Sequence, residues 1–222
     1  MTLPRVLEPE VMDTLEEAQD YDSMDHSEVN RVFVADLLQT GTVDCDILDL
    51  GTGTALLPIE LCKQADDCRV MAVDLSVNML DLARYNIEAD GMIEQIQLAH
   101  VDAKDLPYDD GMFQLVISNS IVHHIPSPLQ ALREAVRVTA SGGRLFFRDL
   151  LRPADDETVR HLVSTYAGDE NDHQRQMFED SLRAALTVDE VRELVGELGF
   201  PADSVNPTSD RHWTWSSVKT SK

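Results

Sequence analysis

The chain has 222 residues, 43% of them hydrophobic, and carries 41 acidic side chains against 18 lysines and arginines, a net charge of −23. That length and apolar share suit one well-cored domain, whereas the negative field repels nucleic-acid phosphates and anionic membrane surfaces. No apolar run approaches the roughly 20 residues that span a bilayer, residues 1–9 lack the apolar stretch of a signal peptide, and the scattered Cys45, Cys62 and Cys68 read as reduced thiols of a cytoplasmic protein, with no metal site expected.

Residues 1–44 read as an N-terminal helical arm, with Val29, Phe33 and Leu37 on one helical face and Tyr21-Asp22 before it. Residues 45–57 read as strand, tight turn and helix. Gly51 and Gly53 form the turn, Leu57 and Leu61 share a helix face, and Thr52 or Thr54 is expected to cap that helix. Arg69 to Asp74 is a second apolar strand that ends in an acid. Ser76 caps the next helix, Met79, Ala83 and Ile87 line its inner face, and Gly91 ends it. Ile96–Val101 is a third strand and Phe113–Ser118 a fourth, apolar on both faces as a central parallel strand is. Ser127-Pro128 opens a further helix, Ser141-Gly142-Gly143 is expected to stop it, and Leu145–Leu150 is a fifth strand.

Residues 151–186 break the rhythm and read as an inserted helical cap, longer and more acidic than an ordinary connection. Thr187 to Glu190 is a capping box, and residues 187–222 then hold the last helix and two short strands, near 204–206 and 211–217. Trp213 and Trp215 alternate on one strand face and read as core. Strands alternating with helices imply an α/β fold with a doubly wound, mostly parallel sheet whose core is residues 45–150.

Asp74 falls 23 residues after Gly51, about where a strand–turn–helix–strand unit sets a carboxylate against a ribose. A dinucleotide fingerprint would have its third glycine at position 56, which is leucine, so a nicotinamide oxidoreductase is disfavoured. Asp49-x-Gly51-x-Gly53-x-Ala55 instead resembles motif I of the class I S-adenosylmethionine-dependent methyltransferases, with Ala55 where that family often has glycine. The resemblance continues through Asp74 to Leu80, Val101 to Tyr108, and Phe113 to Asn119.

The resemblance implies a Rossmann-like sheet with an antiparallel C-terminal edge hairpin. It implies S-adenosylmethionine as cofactor and S-adenosylhomocysteine as product. In that reading Asp49, Gly51, Thr52 and Gly53 serve the methionine portion, and Asp74 takes the ribose hydroxyls. Leu75 and Met79 pack on adenine or ribose, Asp102 and Ala103 face the adenine, Asn119 stands near the transferring methyl, and Tyr21 lies over the ligand. Plainer roles stay open: Asp74 as a helix cap, Asp102 as a loop cap, Met79 and Tyr21 as packing residues.

Methyl transfer is a direct displacement, so a base is needed only where the acceptor must lose a proton. His123, His124 and Asn119, just beyond the fourth strand, are the catalytic candidates, with a structural role for the histidines as the alternative. Arg148, His173 and Arg175 are candidates for the acceptor side. The expected reaction is methylation of a small molecule by a monomer or homodimer. A protein side-chain methyltransferase and a non-catalytic cofactor-binding module are the alternatives.

Overall fold

The structure, a computed structural model, describes residues 3–11, 14–65 and 67–220. Its elements in chain order are α1 (Leu15–Ser23), α2 (Ser27–Gln39), β1 (Asp46–Leu50), α3 (Leu56–Gln64), β2 (Arg69–Asp74), α4 (Val77–Asp90), β3 (Ile96–His100), β4 (Phe113–Asn119), α5 (Pro128–Val138), β5 (Thr139–Leu150), α6 (Asp156–Tyr166), α7 (Asp172–Ala184), α8 (Val188–Glu197), β6 (Val205–Pro207) and β7 (His212–Val218). The strands form one seven-stranded sheet in the order β3-β2-β1-β4-β5-β7-β6. β1 runs parallel to β2 and β4, β2 runs parallel to β3, and β6 and β7 form the expected antiparallel pair. No helix among the described residues is long and apolar enough to cross a membrane.

The register sets the ends of three strands level: Leu50 of β1 pairs with Val73 of β2 and with Ser118 of β4. The order of strands reverses between β1 and β4. At such a switch point the helices that follow lie on opposite faces and leave a crevice beyond the strand ends.

The chain packs as two compact units. One holds the described residues of 11–119, 130–147 and 216–222; its core gathers Phe33 and Leu37 of α2, Ile47 of β1, Leu61 of α3, Leu115 and Ile117 of β4, and Phe146 of β5. Phe33 meets Phe146 edge-on at 5.0 Å between ring centres, the arrangement that ring quadrupoles favour. The other unit holds the described residues of 1–10, 120–129 and 148–215. There Leu150, Leu162 of α6 and Leu182 of α7 form a smaller apolar cluster, and Trp213 and Trp215 are fully buried.

Most helix boundaries follow the local chemistry. Ser76 accepts from Met79 N–H, Gly91 closes α4 in the left-handed conformation, and Thr187 and Glu190 cap α8 reciprocally. Three features depart from expectation. α1 is an additional helix, started by a capping box of Thr14 and Glu17. Neither Thr52 nor Thr54 caps α3; the cap position is Ala55, left-handed at φ 63°, with no side-chain hydrogen bond. A side chain there costs about 1 kcal/mol or more against glycine, which accounts for glycine being frequent at that place.

Ser141-Gly142-Gly143 does not act as a loop after α5. These residues lie inside β5, because Gly142 N–H donates to Lys219 O at 2.7 Å and Lys219 N–H to Gly143 O at 2.8 Å, which keeps the ladder going. Gly143 is required for space: a Cβ there would lie 2.9 Å from Ala140 O and 3.0 Å from Gln114 O. Gly143→Ala should therefore lower stability by about 1–3 kcal/mol. Urea denaturation checks this, and an unchanged midpoint would contradict the crowding.

Candidate functional site

Beyond the end of β1 the chain turns back sharply. The N–H groups of Gly51 and Thr52 both donate to Val73 O, each at 2.9 Å, so the turn is tied to the tip of β2. Gly51 and Gly53 take positive φ values of 70° and 55°, which glycine alone adopts without strain. The turn borders a small recess of about 20 Å³, lined by Tyr21, Asn30, Asp49, Gly51, Thr52 and Asn119 among others. Asn30 was not visible as a site residue in the sequence; a single asparagine on a helix carries no signal of its own.

Asp49 is the unusual group. It is 1% exposed, and neither carboxylate oxygen has a hydrogen-bond partner. Burial pushes its pKa up to about 7, and nearby Asp74 adds to the rise. The Thr52 hydroxyl tempers that rise without reaching hydrogen-bond geometry. A buried carboxylate without partners is costly, so it is proton-bearing or faces a cation.

Asp74 is better satisfied. Its Oδ2 accepts from Gly53 N–H and its Oδ1 from Ser76 N–H, both at 2.8 Å. Burial raises its pKa and these donors offset part of the rise. It therefore closes a turn onto Ser76, the residue that caps α4, and each oxygen keeps a further lone pair for a hydroxyl. Tyr21, in the last turn of α1, sits over the turn: its Cε1 would lie 3.6 Å from a Cβ on Gly53. Burial, with Asp74 and Asp49 adding, pushes its phenol up to about 12. Asn86 fixes this arrangement by donating to Asp22 Oδ1 at 2.8 Å and Thr54 O at 3.1 Å, which joins α1, the turn and α4.

Asp102 accepts from Lys104 N–H at 2.8 Å and pairs with the Lys104 ammonium at 3.0 Å. It thus serves as a loop cap, with its carboxylate part-exposed. Ala103 and Met79 are buried and Leu75 is half-buried. Asn119 ends β4 on the recess, and its buried Oδ1 has no partner.

The remaining candidates belong to the other unit. His123 is 3% exposed, and its Nδ1 lies 2.5 Å from Asp149 Oδ1. Asp149 also accepts from the N–H groups of Val122 at 2.5 Å and Leu150 at 2.6 Å. Burial works against charging His123, but Asp149 and Glu8 outweigh it and its pKa is raised. His124 is pushed down to about 3, by burial first and by His123 second. Glu8 was not visible in the sequence, because it is remote from the histidines along the chain. Arg148 is buried and donates to the Thr214 hydroxyl at 2.9 Å. Its Nε is thereby used inside the fold. His173 is exposed on α7, and Arg175 pairs with Asp172 on the same helix.

A family described as "Methyltransferase domain" matches residues 48–147, the stretch holding the glycine turn, Asp74, Asp102 and Asn119. The match covers 100 of the 222 residues and places a methyltransferase domain there. It is 27% identical over 164 residues to 27-O-demethylrifamycin SV methyltransferase of Amycolatopsis mediterranei, covering 73% of this chain and 56% of that protein. It is 31% identical over 164 residues to malonyl-[acyl-carrier protein] O-methyltransferase of Geobacter sulfurreducens, covering 74% and 58%. The chain thus spans a little over half the length of these relatives. The crystal structure of a SAM-dependent methyltransferase from Aquifex aeolicus aligns over 92% of this chain and 98% of its own, with TM-score 0.69 and 16% identity, a likeness of fold.

The methyltransferase domain fits its cofactor class on its own geometry: an orphaned acid and two positive-φ glycines at the strand switch point. The state of Asp49 also sets a pH dependence. Its folded pKa lies above its unfolded value near 3.8, so the folded chain holds a proton that the unfolded chain loses, and stability falls as pH rises from about 4 to about 7. Asp49→Asn should remove that fall and stabilise the ligand-free protein at pH 8 on the order of a few kcal/mol, with little effect at pH 4. Urea denaturation at the two pH values checks this; an Asp49→Asn variant with the wild-type pH dependence would contradict it.

Proposed function

We propose that the chain is an S-adenosylmethionine-dependent methyltransferase acting on a small-molecule acceptor. The observation that carries the reading is the buried, unpartnered Asp49 carboxylate beside a glycine turn whose Gly53 N–H donates to Asp74 at the tip of the next strand. When bound, the cofactor supplies an electrophilic methyl group on a sulfonium.

The chain's own residues bind and orient. Asp49 meets the cationic methionine portion, and loss of its proton on binding supplies the counter-charge. The backbone of Gly51 and Gly53 allows close approach of the ligand. Asp74 uses its remaining lone pairs on the ribose hydroxyls, while Asp102, Ala103, Leu75 and Met79 form the adenine side. Tyr21 covers the turn and helps to exclude water. Asn119 offers its unpartnered carbonyl oxygen toward the reacting end, as a positioning group.

A small acceptor is supported by the charge of −23, which repels polyanions. It is also supported by the relative named for a rifamycin.

Calorimetry with S-adenosylhomocysteine tests the cofactor assignment. Wild type should bind it and ignore NADH, and Asp74→Ala should weaken binding by at least about 100-fold, the loss of two hydrogen bonds to a charged group. Unchanged affinity in the variant would reject the ribose role of Asp74. Methyl-labelled S-adenosylmethionine offered with metabolite and protein fractions separates the acceptor classes. Label in small molecules is expected; label only in protein, or none, would favour the side-chain or non-catalytic reading.

A further inference from the structure

Within the unit that holds residues 120–129 and 148–215, the described N-terminal residues lie as a strap on the loop after β4. Arg5 donates from Nε to Ala184 O at 2.7 Å and from Nη2 to His123 O at 2.9 Å and Ile125 O at 3.0 Å. This brings Glu8 against both histidines. Glu8 Oε1 lies 3.4 Å from His123 Nε2 and 3.2 Å from His124 Nδ1. Glu8 Oε2 is held by the Ser181 hydroxyl at 3.3 Å.

The three facing atoms are the unusual feature. Asp149 is filled by backbone N–H donors and stays an acceptor, so the proton between it and His123 sits on Nδ1. His123 Nε2 then faces Glu8 Oε1 either with a proton, which Asp149 and Glu8 favour, or, once that proton is displaced, with a lone pair. Glu8 Oε1 and His124 Nδ1 are buried and have no hydrogen-bond partner, and the Glu8 side chain is only 10% exposed. Three lone pairs aimed at one buried spot repel one another unless a cation lies between them.

We propose that Glu8, His123 and His124 form a binding site for a divalent metal ion of the zinc class. Among the described residues they are the one group of three such side chains whose donor atoms all lie within 4.8 Å of one another. Metal–ligand bonds of about 2.0–2.1 Å in tetrahedral geometry put neighbouring donors about 3.3–3.4 Å apart. The two contacts to Glu8 match that spacing before any ion is added. Two imidazoles and a carboxylate suit zinc or cobalt rather than magnesium or calcium. Asp149 on the far ring nitrogen of His123 supplies the outer carboxylate that orients a metal-binding histidine. Three protein ligands leave a fourth position for water or an oxygen-bearing ligand. The proposal replaces the expectation of no metal, which rested on cysteine spacing alone, and it does not depend on the cofactor assignment.

The test is direct metal binding to the full chain stripped with chelator, titrated with Zn²⁺ by calorimetry and with Co²⁺ by visible absorption. One ion per chain is expected, with the intense visible bands of four-coordinate cobalt. Asp149→Asn should weaken binding about 10–100-fold, and Glu8→Ala and His124→Ala by more than that. Glu8→Gln keeps the shape of the strap and should fold even if His124→Ala does not; circular dichroism checks each variant. Absence of saturable binding in wild type would overturn the site and leave a shared proton as the cation. Folded Glu8→Gln and His124→Ala variants that bind like wild type would overturn it equally.

Discussion

The structure depends on one unresolved charge. Asp49 carries a carboxylate into the interior at the end of β1 and finds no donor there. The surrounding elements maintain this state. The tight turn sends the N–H groups of Gly51 and Thr52 to Val73 O and that of Gly53 to Asp74, so none of them serves Asp49. The central β1 strand, bonded to β2 and β4, fixes the position of the acid. A fold that keeps a carboxylate dry and without donors has an electrostatic vacancy that a cationic ligand removes.

That vacancy connects sheet topology to chemistry. The register that pairs Leu50 with Val73 and Ser118 sets Asp74 and Asn119 at one level, just past the end of β1 and two residues beyond the level of Asp49. Each lies at the end of a different strand, so their convergence is a property of the parallel sheet and its switch point. Tyr21 and Asn30 then arrive from the N-terminal helices. Asn86 joins Asp22 to the turn and makes their placement part of the same hydrogen-bonded assembly. Methyl transfer needs positioning and dryness more than a proton shuttle, and this arrangement supplies both.

Much of this was legible in the sequence, for physical reasons. Glycines at 51 and 53 mark a turn because no other residue tolerates both positive φ values cheaply. Apolar strands with Asp49 and Asp74 at or near their ends and the Ser76 and Thr187 caps are local signals that the structure carries, while the antiparallel pairing of the last two strands was implied by the family resemblance and is also present. The misreadings came from context. Ser141-Gly142-Gly143 has loop chemistry but is drawn into β5 by its partner Lys219, far along the chain. Glu8, Arg5 and Asn30 carried no signal, since their roles come from partners remote in sequence. The Glu8–His123–His124 cluster exists only because the strap returns to the loop after β4.

The central claim is that Asp49 is held near neutrality until a cationic ligand fills the recess. The direct measurement is the titration of the Asp49 carboxyl carbon by NMR in protein labelled with ¹³C aspartate, free and saturated with S-adenosylhomocysteine, whose ammonium group provides the charge. In the free protein Asp49 should titrate near 7, and in the complex its pKa should fall by more than about one unit, the 1.4 kcal/mol or more that one close counter-charge contributes. A carboxyl that titrates near 4 in the free protein, or one whose pKa is unmoved by the ligand, would contradict the account.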